Sequence, residues 1–162
     1  MTKFVSKKIR RKSGARLASV QATYMIAYGQ LPVDSVIEDF VNGKVGRFVI
    51  DENSLAETEE MVEISPIDAQ YFEEVVRGVH TKKQDLEKSL GMFLNDKWSF
   101  DRMNGVLQSL LLCSVYELTN TLDIDTKVLI QEYVDLAYAF FSKNEPKMVN
   151  ALLDQIAHSI RE

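Results

Sequence analysis

The chain is poor in the residues that build cross-linked or turn-rich folds. One cysteine, Cys113, occurs in 162 residues. That excludes an intrachain disulfide framework and a multi-cysteine zinc cluster, and it fits a reducing compartment. Three prolines and seven glycines disfavour the frequent turns of an all-β fold. His80 and His158 are the only histidines, and neither has a cysteine or an acid at ligand spacing, so no metal site is expected. No segment approaches the roughly 18 consecutive apolar residues of a membrane span. The basic N-terminus lacks the apolar stretch of a secretory signal, so the expected location is the cytoplasm. Phosphate-cradling G-x-x-x-x-G-K, dinucleotide-binding G-x-G-x-x-G and nucleophile-elbow G-x-S-x-G patterns are all missing. Acids are abundant, but none is paired within an apolar pattern in a way that demands acid–base chemistry. Glu117 and Glu132 stand beside apolar stripes and are read as structural. Cys113, inside the most apolar segment, is read as a small core residue. The chain therefore reads as a binding module without cofactor or metal, not as an enzyme.

Acid is also absent from the beginning of the chain, where the first acidic residue is Asp34. Residues 1–16 carry seven cations: Lys3, Lys7, Lys8, Arg10, Arg11, Lys12 and Arg16. The rest holds 12 cations against 24 acids, so an acidic body carries a cationic arm. Such an arm suits phosphate, although a solubilising tail or a targeting peptide has a similar composition. Twelve acids and only two cations, Lys44 and Arg47, fall between residues 34 and 74. The stretch 51–63 reads as a solvated loop that cannot hold nucleic acid.

With 46% hydrophobic and 27% charged residues, the chain is long enough for one core. Its apolar spacing is helical nearly throughout. Leu17, Val20, Tyr24 and Ala27 mark a helix over 15–28, with Gly29 as its stop. Val36, Ile37, Phe40 and Val41 mark a short second one. Ser65-Pro66-Ile67-Asp68 reads as a helix start. The stripe Phe72, Val75, Val76, Val79, Leu86, Leu90 and Phe93 follows, as one helix or as two that bend near Gly78. Ser99 reads as the cap of a very apolar helix over 100–118, expected to be central. Asp125 caps the next, with Ile130, Tyr133, Val134, Ala137, Phe140 and Phe141 inward. The last helix, from about Lys147, buries Val149, Leu152, Leu153, Ile156 and Ile160. Val45–Ile50 is the sole β-like run and is read as loop. The expected fold is an all-α, compact bundle of about six or seven helices. Residues 1–12 form a flexible basic arm in this reading. Residues 13–162 form a single domain, in subdomains of about 13–81 and 82–162.

The arm runs straight into the first helix. A helix start offers free backbone N–H groups and a favourable dipole to an anion, and arginine grips phosphate and stacks on bases. Tyr24 and Tyr28, one turn apart, could add stacking surface for unpaired bases. Tyr28 reads better as a half-buried core residue.

At this point the sequence resembles a known family. Ala15-Arg16-Leu17-Ala18-Ser19-Val20-Gln21-Ala22-Thr23-Tyr24 is similar to the opening signature of the NusB antitermination factors. Further matching blocks are Asp68-Ala69-Gln70-Tyr71-Phe72 with Val76-Arg77-Gly78-Val79, then Tyr116-Glu117-Leu118, and Ile130-Gln131-Glu132-Tyr133-Val134-Asp135-Leu136-Ala137. Lys147-Met148-Val149-Asn150-Ala151-Leu152-Leu153-Asp154 resembles the family's closing K-F-V-N-G-V-L-D. These blocks come in family order, at family spacing, and span almost the whole chain.

The resemblance implies an all-helical fold of two three-helix-like subdomains. It implies binding of boxA-type single-stranded RNA together with NusE, a protein of the small ribosomal subunit. Such a pair acts in the RNA polymerase antitermination complex of ribosomal RNA operons. By motif position, the RNA contacts are Lys7, Lys8, Arg10, Arg11, Lys12 and Arg16 of the arm, Tyr24, and Lys147, Met148 and Asn150 of the last helix. Some relatives form homodimers, and no membrane is involved. Four departures stand out. Met148 replaces an aromatic, which turns base stacking into a thioether contact. Ala151 replaces a glycine. Leu107 and Leu112 replace an acid and an arginine, as if an internal ion pair had become apolar packing. Two other readings share the helical fold: a protein–protein adaptor, and an RNA-binding domain related to that of ribosomal RNA methyltransferases.

Overall fold

The computed structural model describes the backbone of residues 7–43, 48–51, 60–63 and 67–161, and the side chains of 11–43 and 67–161. Its helices are α1 (Lys7–Gly29), α2 (Val33–Val41), α3 (Ala69–Phe93), α4 (Gly105–Asn120), α5 (Thr126–Phe140) and α6 (Asn144–Ile160). Single 3-10 turns at Asp96–Trp98 and Phe100–Arg102 lead from α3 into α4. Two short strands, β1 (Phe48–Asp51) and β2 (Glu60–Glu63), pair antiparallel between α2 and α3, with Phe48 opposite Glu63 and Asp51 opposite Glu60. The all-α reading stands with this hairpin added. It corrects the reading of residues 48–51 and 60–63 as loop, and residues 45–47 and 52–59 lie outside the described part.

Local chemistry accounts for most boundaries. The chain leaves α1 through Gln30, which takes the left-handed conformation at φ 52°, a position that terminates helices. Asp68 caps α3 by accepting the N–H of Tyr71 at 3.1 Å, so the cap lies three residues beyond the expected Ser65. Asn104, not Ser99, caps α4 by accepting from Val106 at 2.8 Å. Two turns of 3-10 helix occupy the stretch expected to open that helix. Asp125 caps α5 as expected, accepting from Lys127 at 2.8 Å. In each case a short oxygen-bearing side chain satisfies an orphan N–H of the first turn.

The core divides into two apolar clusters that share α1 and α3. Ala15, Ala18 and Ala22 of α1 meet Val36, Ile37 and Phe40 of α2, and Phe72 and Val76 of α3. Val20 of α1 and Val75, Val79, Leu86 and Leu90 of α3 face the second cluster, built on α4, α5 and α6. Helix α4 is central: Leu107, Leu110, Leu111, Leu112, Cys113, Val115 and Leu118 are all buried. Each such leucine contributes about 1.5–3 kcal/mol by leaving water. The hydroxyls of Ser109 and Ser114 bond back to Gly105 O and Leu111 O of the same helix, which lets polar residues sit in the core. Helix α3 passes through Gly78 and residue 82 without interruption. Gly78 is no bend: a Cβ there would stand 2.1 Å from Cζ of Tyr116, so the glycine admits the Tyr116 ring of α4. Val41 and Ile160, expected inward, are each 43% exposed, because each lies at the fraying end of its helix.

The end of α4 is closed from a distance. Arg161 donates from Nε to Leu118 O at 2.9 Å, from Nη1 to Ile124 O at 2.6 Å and from Nη2 to Thr121 O at 2.8 Å. A cation thus meets the negative end of the α4 dipole and satisfies its orphan carbonyls. Replacing Arg161 with alanine is expected to cost about 2 kcal/mol, since hydrogen bonds to charged groups exceed neutral ones. Urea unfolding checks this, and an unchanged midpoint would show that water serves those carbonyls equally well.

Candidate nucleic-acid interface

The cationic arm is not wholly separate from the bundle. Helix α1 begins at Lys7, so residues 7–12, expected to be flexible, form its first turns. The side chains of Lys7, Lys8 and Arg10 lie outside the described residues, and Arg11 is exposed. The Arg11 carbonyl accepts the N–H of Asp68 at 3.0 Å, which ties the start of α1 to the cap of α3. Lys12 is half-buried, with Nζ 5.1 Å from the centre of the Tyr71 ring. No acidic residue precedes Asp34, so nothing within α1 offsets these charges.

Arg16 breaks the pattern. It was expected to face RNA, yet it is buried, with 3% of its side chain exposed. Its Nε donates to Glu117 at 2.9 Å (Oε2) and 3.3 Å (Oε1), and Nη2 donates to the Tyr71 hydroxyl at 3.3 Å. Tyr71 and Tyr133 each donate a hydroxyl hydrogen to the Glu117 carboxylate. Helices α1, α3, α4 and α5 therefore meet at one buried carboxylate whose two oxygens are both engaged. At the edge of this cluster Glu132 Oε1 accepts from Ser13 Oγ at 2.8 Å and faces Arg16 Nη1 at 3.5 Å. Burial pushes the Glu117 carboxyl up, and the charge and hydrogen bond of Arg16 pull it only part of the way back. Burial opposes the Arg16 charge as well, but Glu117 outweighs it and the guanidinium is raised. Burial, then the neighbouring Glu117, holds the Tyr133 phenol well above its ordinary value. As the structural reading of Glu117 and Glu132 requires, both have partners. Arg16 is packed in the core, with Nε on Glu117 and Nη2 on Tyr71.

Tyr24 and Tyr28 lie further along α1. Their rings stack with centroids 4.9 Å apart, and 39% and 52% of these residues is exposed. Tyr28 is thus no core residue. Its hydroxyl donates to Gln108 Oε1 on α4. Gly105 makes room for the pair, since a Cβ there would fall 2.6 Å from the Tyr28 ring and 2.9 Å from that of Tyr24. The one sequence signal for this contact is a glycine directly after the Asn104 cap, a position that does not otherwise call for one.

On α6, Lys147 and Asn150 are exposed. Met148 is 9% exposed and belongs to the α4–α5–α6 cluster. The reading of Met148 as an RNA contact therefore falls on a residue that is packed largely into the core. Among the described residues no hydrogen bond or ion pair joins Lys147 or Asn150 to α1. Leu107 and Leu112 are core residues, consistent with apolar packing at both positions.

The described residues contain no group of three or more His, Cys, Asp or Glu side chains placed to hold a metal ion. Burial pushes the Cys113 thiol up to about 12, which leaves it protonated and unreactive at neutral pH. No helix among the described residues is long and apolar enough to cross a membrane.

The described residues thus form a helical bundle with an acid-free cationic helix start and a buried carboxylate clasp. The NusB family model matches residues 13–158, and the chain belongs to that family. It is similar to the transcription antitermination protein NusB of Rhodospirillum rubrum, 40% identical over 157 residues that cover 93% of this chain and 85% of the relative. NusB of T. maritima has the same fold, with a TM-score of 0.71 at 20% identity, over 96% of this chain and 93% of that one. So has a chain from a crystal structure of antitermination factors NusB and NusE in complex with double-stranded RNA, with a TM-score of 0.70 at 20% identity, over 91% and 96%.

Proposed function

We propose that this chain is an RNA-binding transcription antitermination factor. It binds boxA-type single-stranded RNA together with NusE, and the pair works within the RNA polymerase antitermination complex of ribosomal RNA operons. It acts without catalysis. The observation that carries this reading is the acid-free run of cations that opens α1 in a chain otherwise dominated by acids. Such a body repels a polyanion overall, so attraction must be local. The phosphate contacts are Lys7, Lys8, Arg10, Arg11 and Lys12. Arg16 stands behind them as an anchor. The exposed Tyr24 ring, stacked on Tyr28, offers a flat face further along the same helix, and Lys147 with Asn150 supplies a separate contact on α6.

Anisotropy binding of a boxA-type RNA, with and without NusE and against a scrambled strand, tests this. Binding should be modest alone and tighter with the basic partner. With four or five cations on phosphate, log K should fall against log salt with a slope of about −3 to −3.5. A flat salt response would remove the arm from the interface. Equal binding of the scrambled strand would reduce the activity to non-specific attraction. Binding to anionic liposomes with no RNA binding would favour a membrane adaptor instead.

A further inference from the structure

An acid stands where a phosphate-binding surface should not tolerate one. Glu132 lies on α5, and 21% of its side chain is exposed. Its Oε1 is 2.8 Å from the hydroxyl of Ser13, the residue that directly follows the cations of the arm, and 3.5 Å from Nη1 of Arg16. Electrostatics alone makes this carboxylate a cost to RNA binding, because it repels phosphate and competes for the nearby cations.

The inner carboxylate leaves Glu132 little to do for the core. Glu117 is fully buried and already takes Arg16, Tyr71 and Tyr133. What Glu132 adds lies one turn closer to the arm. Its contacts with Ser13 and Arg16 are the polar links between α1 and α5 among the described residues. The links of the residues before Ser13 run to α3: the Arg11 carbonyl to Asp68, and Lys12 over the Tyr71 ring. Without Glu132, Ser13 loses its side-chain partner, and the nearest hold on the α4–α5 side is Arg16 on Glu117, three residues further along.

We infer that Glu132 is a positioning residue for the RNA-binding arm, in which it holds Ser13 and Arg16 against α5 and so sets how the opening turns of α1 meet the phosphates. This rests on the proposed RNA binding and adds a residue to it. An arm held in its competent arrangement binds with its full affinity, and one that is competent only part of the time binds more weakly in proportion.

The sign of the effect separates positioning from simple repulsion. In the full chain, Glu132→Ala is expected to weaken boxA-type RNA binding about three- to ten-fold, although it removes a negative charge. Glu132→Gln, which keeps an oxygen for Ser13, should fall between. Ser13→Ala should weaken binding as well, and adding it to Glu132→Ala should cost little more, because both remove the same contact. In the RNA-free protein, backbone amides of residues 11–16 should exchange faster in Glu132→Ala while those of α6 do not change. Tighter RNA binding by Glu132→Ala, additive losses in the double variant, or unchanged exchange at 11–16 would each overturn the inference. A lowered melting temperature with unaltered RNA affinity would also overturn it, since Glu132 would then serve only the fold. Should Glu132→Ala not fold, Ser13→Ala carries the same readouts. A wild-type chain that binds no RNA ends the functional reading and this inference with it, whereas wild-type binding with unaffected variants ends the inference alone.

Discussion

Replacing Arg16 with methionine is expected to remove about 3–5 kcal/mol of unfolding free energy, measured by urea titration. Arg16 and Glu117 are 3% and 0% exposed, so taking the guanidinium away strands a carboxylate with no water to solvate it. Tyr71 and Tyr133 still donate to Glu117, which softens the loss without replacing the charge. Changing Glu117 to glutamine in the same chain should recover much of the loss, because no buried anion remains and an oxygen still accepts from the tyrosines. The pH dependence has a definite sign. Arg16 lowers the Glu117 carboxyl more than Tyr133 does, so the methionine variant holds that group further above its unfolded value. The variant is then least damaged below the unfolded carboxyl range of about pH 4.3, and the gap to wild type widens as pH rises through the folded value. At neutral pH the molecules that remain folded should lose no more RNA affinity than Glu132→Ala does, because Ser13 still meets Glu132. A variant of full stability that had lost RNA binding would return Arg16 to the RNA surface.

Neutralising the arm should do the reverse. With Lys7, Lys8, Arg10 and Arg11 all changed to glutamine, affinity for the boxA-type strand is expected to fall by two to three orders of magnitude at about 0.1 M salt. The salt slope should shrink to about −1, because one arm cation, Lys12, and the α6 contacts remain. The unfolding midpoint should barely move, since changes at surface positions usually stay within about 0.5 kcal/mol. NusE should rescue only part of the loss. An unchanged affinity would place the strand on another face, and a comparable loss of stability would make these cations part of the fold.

Much of this molecule is legible in the residues. The apolar excess of 105–118 marks α4 as the central helix, and Asp125 marks the start of α5, because both signals are local. Arg16 is harder to place. By composition it is the last cation of a basic run, whereas its neighbours Ala15, Ala18 and Ser19 are small, buried residues that let helices approach closely. Glu117, an acid inside an apolar helix, called for a partner. Nothing in local spacing says that the partner lies 101 positions earlier. Tyr28 carries the spacing of a core residue, and its exposure follows from where α4 begins, a tertiary fact. The strands escaped because Val45–Ile50 is a single short run whose mate, Glu60–Glu63, is too acidic to read as a strand.

The spans of the clasp also bear on how the chain folds. Ser13 meets a residue 119 positions later and Arg16 one 101 positions later. Contacts of such sequence separation form late, because a long loop must close before they reward it. On the ribosome, the first helix emerges with its guanidinium unmatched and waits for α4 and α5 to be made. Nascent chains stalled before residue 117 should therefore leave this helix open to protease, and its protection should appear only once Glu117 and Glu132 have cleared the exit tunnel.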